Sequence, residues 1–358
     1  MTSSRNSAAL HRSFLLALAA AAVLSTAFLG AAFARPQSES AVPSSITIVL
    51  PPRLVAGQPA TLALFGADGK LAPNVDVLLN GAQRVRTNST GRVSFIAPAS
   101  GGVLIAKAEG ASAAALLDSS PPANSLAALQ VTPIVSLRDA FPVCATGLRG
   151  DANENRVKVN VEVSLILAAS PECLEILAPP NMPPGPATIS LDVAGKQITA
   201  ATTLVALGFG PPKPPLLPGK SGAMAVWVQG SAQRLHLVVT NESPDVLAFA
   251  RGNSQEVLTS GGMQNFALLE VTALRSGDFH FHARLLPSPD SATARQFLLA
   301  AAPLSANAGQ SAILKLAARL ARHPRDAAKA RAQLAPLLAR TPEGDLHTLL
   351  AAASGALE

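Results

Sequence analysis

The stretch ATISLDVAGKQITAATTLVAL, residues 187–207, contains the pattern that decides the fold. Apolar and polar residues alternate before the turn at Gly195, and apolar positions return after it, as is typical of two strands joined by a tight connection. Short runs of this kind recur about every ten residues from residue 45 to 286, and Gly, Asn or Pro ends them. Such spacing predicts antiparallel sandwiches. Helical periodicity is scarce before residue 310, which disfavours a doubly wound enzyme fold.

Proline-rich stretches divide the chain into blocks. SSPPANS (119–125) and GFGPPKPPLLPGKSG (208–222) are expected to be stiff spacers that join no sheet. We therefore predict a mainly β protein of tandem immunoglobulin-like β-sandwiches with a short C-terminal α-helical segment. The predicted ranges are 45–118, 126–207 and 222–303 for the three sandwiches and 310–355 for the helical segment. Trp227 is expected to be a core aromatic of the third sandwich.

The first 34 residues are typical of a signal peptide. Arg5, His11 and Arg12 precede an apolar run from Phe14 to Phe33, and Ala32-Phe33-Ala34 has the small residues of a cleavage site. The alternative is a retained membrane anchor, since the uncharged run is long enough to cross a bilayer. Cleavage is favoured, so we expect a secreted, periplasmic or cell-surface protein with no transmembrane span after signal cleavage.

Two cysteines, Cys144 and Cys173, follow the predicted signal. An even number of cysteines in an oxidising compartment indicates a disulfide, and these two can form one bridge within the chain. The alternative is a pair of buried free thiols.

Residues 126–207 resemble an IPT/TIG domain, an immunoglobulin-like module. The similarity rests on Pro133-Ile134, Gly147, Ala168-Ala169-Ser170-Pro171 and the ending PPGPATISLDVAGK (183–196). Val161 departs from the family pattern, in which a turn glycine is expected. The resemblance implies that the strands bearing Cys144 and Cys173 are antiparallel neighbours, in agreement with a bridge. The preceding block resembles bacterial immunoglobulin-like repeats, through LVAGQPATLALFGADGK and TNSTGRVSFIAP.

The last block is predicted to be helical. SAILKLAARLARH (311–323) places Lys315, Arg319 and Arg322 on one stripe, with Ile313, Leu316 and Leu320 on another. One interpretation is a basic contact face for an anionic membrane or an acidic partner. The favoured interpretation is a helical cap whose Leu and Ala residues pack together while the cations remain solvated.

Two sets of residues have the types that bind metals. DANENRVKVNVE (151–162) begins like a calcium loop, but Arg156 occupies the position of the turn glycine, so a calcium site is disfavoured. His280 and His282 share a strand face with Asp278 and lack an evident further ligand. Phe279 and Phe281 are expected to fill the core, which leaves the histidines in solvent. We predict no metal and no cofactor.

The sequence offers no catalytic constellation. A G-x-S-x-G turn is absent, and the glycine pairs Gly101-Gly102 and Gly261-Gly262 precede neither a helix nor a phosphate-binding lysine. We therefore predict that the protein is not an enzyme; a hydrolase with an unrecognised site is the weaker alternative. Charged residues make up 14% of the chain, and most of the net charge of +6 comes from its two ends, so nucleic acid is disfavoured. Tyr is absent and Trp occurs once, which disfavours carbohydrate.

These observations predict an exported, non-enzymatic protein of the cell envelope or surface, with a structural or an adhesive and binding role. Its partner is expected to be a protein or a cell-envelope component, contacted through strand edges and loops. The alternative is an accessory protein that binds an anionic membrane or an acidic partner through the basic C-terminal helices.

Overall fold

A computed structural model describes residues 46–66, 68–119, 128–193, 195–212, 216–250 and 252–358. The predicted signal peptide at 1–34 lies outside the described residues. Within them, strands predominate, the sheets pack as sandwiches in tandem, and short helices follow from Ser291. The predicted fold class is thereby confirmed.

The first sandwich buries the apolar positions of short strands between two layers. Its strands are β1 (Thr47–Val49), β2 (Arg53–Val55), β3 (Pro59–Phe65), β4 (Asp76–Leu79), β5 (Gln83–Arg86), β6 (Arg92–Ile96), β7 (Gly102–Ala108) and β8 (Ala111–Asp118). One layer contains β1, β3 and β6, and the other follows the order β2-β8-β7-β4-β5. Leu62 and Leu64 of the first layer share one apolar core with Val77 and Leu104 of the second.

The second sandwich contains the stretch that decides the fold. Its strands are β9 (Gln130–Val131), β10 (Ile134–Ser136), β11 (Phe141–Cys144), β12 (Arg156–Val159), β13 (Glu162–Val163), β14 (Leu165–Ala169), β15 (Cys173–Leu177), β16 (Gly185–Val193) and β17 (Lys196–Gly210). One layer has the order β14-β15-β11-β9, and the other has β13-β12-β16-β17 with β10 parallel to β17. Alternate residues of β16, Ile189 and Leu191, point into the core with Leu174 and Ile176 of β15.

The first two sandwiches are joined by a strand contact and by hydrogen bonds. Thr61 of β3 pairs with Ala169 of β14, so one sheet continues from the first sandwich into the second. The Thr61 hydroxyl donates to the Gly150 carbonyl (2.8 Å) and accepts from the Ala152 amide (3.2 Å). The buried side chain of Thr61 therefore fixes the loop of the second sandwich against the first.

A single strand, β17, belongs to both the second and the third sandwich. Up to Leu204 it pairs with β16, and from Ala206 to Gly210 it pairs with the next strand along the chain. The remaining strands are β18 (Ser221–Gln229), β19 (His236–Asn241), β20 (Leu247–Phe249), β21 (Ser254–Leu258), β22 (Asn265–Ala273) and β23 (Phe281–Leu285). The layers of the third sandwich are β17-β18-β22-β20 and β21-β19-β23. The spacer predicted at 208–222 is wrong at both ends, because residues 208–210 continue β17 and Ser221 and Gly222 begin β18.

Trp227 is not a core residue, contrary to the prediction. Met224, Val226 and Val228 of β18 lie in the core of the third sandwich. Because successive strand residues point to opposite faces, Trp227 points outward, where it is half-buried.

The helical part begins at Ser291, well before the predicted start at residue 310. Its α-helices among the described residues are α1 (Ser291–Ala301), α2 (Ala308–Leu320), α3 (Ala327–Leu338) and α4 (Asp345–Ala356). The early start has a local cause, because the Asp290 carboxylate accepts a hydrogen bond from the Thr293 amide (3.0 Å) and caps α1.

The helices pack back onto the sandwiches. Ile105 of β7 and Leu116 of β8 share a buried cluster with Leu298, Leu314 and Leu350 of the helices. The outer face of the first sandwich is therefore an internal surface of the protein.

The helical segment also contacts the third sandwich. Arg331 of α3 pairs with Glu256 of β21, and Glu358 at the chain end pairs with Arg284 of β23. The described residues accordingly form one compact unit. The exact limits predicted for the individual sandwiches stay predictions.

Candidate functional site

A groove of about 570 Å³ lies between the second and third sandwiches. Its lining is mostly apolar, from β10 and the residues around it on one side and from the end of β23 on the other. The apolar lining includes Pro133, Ile134, Val135, Phe141, Pro142, Leu235, Leu285, Leu286 and Pro287. Clefts of this size with an apolar lining and few polar groups are typical of binding sites, which are frequent at domain boundaries.

Two strand edges border this groove. Among the described residues, β10 pairs only with β17, and β23 pairs only with β19. The Leu137 amide donates to the Val205 carbonyl (3.0 Å), and the Pro133 carbonyl accepts from the Thr203 amide (2.9 Å). Since alternate residues of a strand use opposite edges, the amide and carbonyl groups of Ile134 and Ser136 point away from β17. An extended peptide can pair with such an edge.

Most of the charged groups at the groove are engaged within the protein. Arg284 pairs with the Glu358 carboxylate, and Arg234 donates through Nε to the Ser260 carbonyl (3.3 Å). Asp139 at the rim lies 3.7 Å from Nε2 of His282. The groove therefore offers apolar contact and strand edges more than a strong field of one sign.

Cys144 and Cys173 form the predicted disulfide. They lie opposite each other on β11 and β15, which are antiparallel neighbours as the resemblance implied, and their Cα atoms are 4.1 Å apart. The bridge lies within one sheet and closes a loop over residues 145–172. That loop includes Gly150 and Ala152, which bond to the first sandwich, so the disulfide constrains the segment that joins the two sandwiches.

Lys315 and Arg319 lie on the exposed side of α2, Arg322 is exposed two residues beyond its end, and none of the three forms an ion pair with another described residue. The opposite side of this helix is packed in the core through Leu314, Ala317 and Ala318. The predicted apolar stripe was partly wrong.

Leu316 is the residue of the predicted apolar stripe that is not buried, since it is 43% exposed. Ala317 and Ala318 are buried in its place, where α2 packs against the neighbouring helices α1 and α3. The spacing alone could not show which of two neighbouring stripes is buried.

The residues considered as calcium ligands have structural roles. The Asp151 carboxylate accepts the Asn153 amide (2.9 Å), and the Asn155 side chain accepts the Arg149 amide (3.0 Å). These bonds order the loop that contacts Thr61.

The two histidines lie at the surface of the third sandwich. His280 and His282 are exposed, while Phe279 and Phe281 pack against its core. In the described ranges, no three His, Cys, Asp or Glu side chains come close enough to hold a metal ion. No helix in the same ranges has the length and apolar character needed to cross a bilayer.

Sequence comparison identifies no relative of this chain. No protein-family model matches it, and no curated protein matches it.

Structural comparison finds multidomain proteins. The full extracellular region of plexin A4 is 11% identical, with a TM-score of 0.26 over 68% of this chain and 23% of plexin. Three titin domains are 8% identical, with a TM-score of 0.19 over 68% of this chain and 91% of theirs. Extracellular domains 3–5 of Drosophila OTK are 14% identical, with a TM-score of 0.18 over 65% of this chain and 99% of theirs. At such low identities a similarity concerns the fold alone.

Proposed function

We propose that this chain is an exported, non-enzymatic binding protein of the cell envelope or surface, and that the groove between its second and third sandwiches receives an extended segment of a partner protein. The observation that carries the proposal is the pair of strand edges, β10 and β23, which border one apolar groove. Strand addition supplies main-chain hydrogen bonds, and apolar pockets then select the side chains. Shared strands and packed helices keep the two sides of the groove in fixed relation.

Export is supported by two features. Residues 1–34 have the pattern of a cleavable signal, and the Cys144–Cys173 bridge is of a kind that persists in oxidising compartments. Intact mass of the protein from its native cells tests this part. We expect a chain that begins at residue 35 and has no alkylatable thiol. A cytoplasmic protein that keeps the signal and two thiols would refute it.

The second sandwich is proposed to be of the IPT/TIG type. The support is the antiparallel neighbourhood of β11 and β15 together with the ending at 183–196 that the resemblance used. We propose that the three sandwiches span residues 45–118, 126–207 and 222–303. The third is shortened at its end by α1.

Photo-crosslinking tests the groove. A photoreactive residue replaces Leu286, which lines the groove and lies outside the buried core of the third sandwich. The control carries the same residue at Leu217, which is 69% exposed and lies outside the groove. We expect a discrete crosslinked partner from position 286, lost when Ile134→Asp is added. Equal crosslinking from both positions, or from neither in native envelopes, would contradict the proposal.

A second function is contact with an anionic membrane surface. It is favoured by the basic side of α2, which we define as Lys315 and Arg319 of the helix and Arg322 just beyond its end. Lys315, Arg319 and Arg322 are exposed and unpaired within the described part of the chain, while the apolar side of the helix is already buried. The contact would thus be electrostatic and would weaken with salt.

Vesicle sedimentation separates this function from the first. We expect the double variant Arg319→Gln/Arg322→Gln to bind vesicles with 30% anionic lipid about 30-fold more weakly (about 1 kcal/mol per charge). The matched control is Lys196→Gln/Lys220→Gln, whose residues are also exposed. Equal binding by both variants would remove the basic side from consideration.

A further inference from the structure

The outward face of the third sandwich has two neighbouring aromatic residues, in a row that spans three strands. Trp227 of β18 lies between Gly208 of β17 and Phe266 of β22 in the strand registers. Trp227 is half-buried, and Phe266 is 37% exposed. Its neighbours in sequence point into the core, so this row belongs to the side of the sheet opposite the packed interior.

The indole ring lies flat on the sheet. A Cβ atom placed on Gly208 would lie 2.0 Å from Cζ2 of Trp227 and 2.4 Å from both Cε2 and Cη2, the two ring atoms bonded to it. A point beyond the ring edge would be farther from those two atoms, so the position lies over the ring plane. The benzene ring of the indole therefore stacks on the backbone at Gly208, and its opposite face points away from the sheet.

The next row of outward residues on this face has short side chains on two of its three strands. Gly210, Ala225 and Leu268 lie side by side on β17, β18 and β22, and Leu268 is 60% exposed. Beyond them, exposed Glu270 pairs with Ala223, and exposed Gln229 follows Trp227 on the other side. Small residues thus lie beside the ring on β17 and β18, and larger apolar residues lie beside it on β22. Gln229 is the next outward residue of β18, and Glu270 lies two rows away.

The strands of this face supply no cationic side chain, and the two arginines that line a cavity together with Leu268 and Glu270, Arg284 and Arg331, are paired with Glu358 and Glu256. The segments 206–210, 221–229 and 265–273 contain no Lys or Arg. Nucleic acids and anionic lipids are bound largely through cationic side chains, which these strands do not supply. A neutral ligand is therefore favoured.

We propose that the Trp227 platform, formed by Gly208, Trp227, Phe266 and Leu268, binds a neutral glycan. The electron-rich face of the indole attracts the slightly positive C–H groups of a sugar ring, and a flat ring fits the flat side of a sugar. Glu270 and Gln229 can accept hydrogen bonds from sugar hydroxyls. Aromatic anchors of protein interfaces instead fill pockets of the partner, which a ring lying on its own sheet cannot do.

This inference deepens the proposed envelope function by naming a ligand class at a second surface. It replaces the expectation that carbohydrate is disfavoured, which rested on the number of aromatic residues and not on their placement. The ligand class is defined by its chemistry, namely uncharged pyranose rings in a chain.

Fluorescence gives a direct test, because Trp227 is the only tryptophan in the sequence. The exported protein is titrated with chitotetraose, cellotetraose and maltotetraose, and with vesicles of neutral lipid. We expect a saturable change in tryptophan emission with at least one glycan and none with the vesicles. The absence of a saturable change with all three glycans, or a response to the vesicles alone, would overturn the proposal.

Calorimetry on variants separates stacking from a general effect on the fold. We expect Trp227→Ala to weaken glycan binding about tenfold or more, and Trp227→Phe to retain part of it. The control variant Phe209→Leu alters the opposite, inward side of β17 and should bind as the wild type does. Unchanged binding by Trp227→Ala would refute the platform. Crosslinking at Leu286 is read separately, so a failure here leaves the groove proposal standing, and the reverse also holds.

Discussion

The hydroxyl of Thr348 in α4 donates a hydrogen bond to the hydroxyl of Ser112 in β8 over 2.8 Å, although the two residues are 236 positions apart. This bond lies beside the cluster in which Ile105 and Leu116 meet the helices. The first sandwich thus has one core between its layers and a second core under the C-terminal helices. Its stability is therefore coupled to helices that lie far from it in the sequence.

Ile105 tests this coupling. Ile105 is 7% exposed, and its side chain packs under the helices. Ile105→Ala leaves a cavity at that interface and is expected to lower the free energy of unfolding by about 2–4 kcal/mol. Denaturant unfolding measures the change. Val163→Ala is the control, since Val163 is 55% exposed and should change stability by less than about 0.5 kcal/mol. Equal effects at the two sites would show that the helices add no stability.

Gly150 is predicted to be essential at the junction of the first two sandwiches. A Cβ at this position would lie 1.8 Å from the Pro59 carbonyl oxygen. Because backbone and not a flexible side chain opposes the new atom, Gly150→Ala is expected to cost about 1–3 kcal/mol of unfolding free energy. Gly355→Ala in α4 is the matched control. A Cβ there meets nothing within 4 Å, and the helix should gain about 0.5–1 kcal/mol. A neutral Gly150→Ala variant would mean that the loop moves away without cost.

The sequence predicted the strands of the sandwiches well, because alternation and turn residues are local signals. The outward position of Trp227 could also have been predicted from the sequence, because the alternating apolar residues Met224, Val226 and Val228 define the inward side of β18. The position of a glycine beneath the Trp227 ring could not be predicted from the sequence. Gly208 lies opposite Trp227 in the register of β17 and β18. The proline-rich stretch that follows Gly208 instead led to the prediction that a spacer begins at this glycine.

Helix α1 could have been predicted from its N-cap and its apolar spacing, although the strand pattern before it suggested a longer sandwich. Asp290 caps the helix, and Ala294, Phe297, Leu298 and Ala301 have helical spacing on its buried side. The groove could not be predicted. It depends on β17 continuing from one sandwich into the next, which brings β10 and β23 to the same cleft, and no local pattern encodes that relation.

Removing the disulfide is expected to destabilise the second sandwich. Cys144 and Cys173 are 29 positions apart, and a bridge over such a loop contributes about 3–4 kcal/mol in the chain-entropy model. The double variant Cys144→Ala/Cys173→Ala should lose that amount in denaturant unfolding. The wild type with reductant is the control and should approach the variant. Equal stability of oxidised wild type and double variant would show that sheet pairing alone fixes this loop.

Glu175 is predicted to make stability depend on pH. It lies on β15 between Leu174 and Ile176, whose side chains point into the core, and its own half-buried side chain points to the other face. Burial raises the pKa of Glu175 from its usual 4.5 to about 8. Between these two pH values the unfolded chain loses the proton while the folded chain keeps it, so the free energy of unfolding falls as pH rises.

Glu175→Gln keeps the shape of the protonated acid and cannot ionise, so it should remove this dependence. Relative to the wild type, its free energy of unfolding is expected to be similar at pH 4.5 and higher by about 1–3 kcal/mol at pH 8.5, a gain limited by the partial exposure of the side chain. Glu162→Gln is the control, because Glu162 is exposed at the end of β13. Denaturant unfolding across this range measures both differences. If the Glu175→Gln difference stays constant with pH, the carboxylate is already ionised in the folded protein, and solvent reaches that face of the sheet.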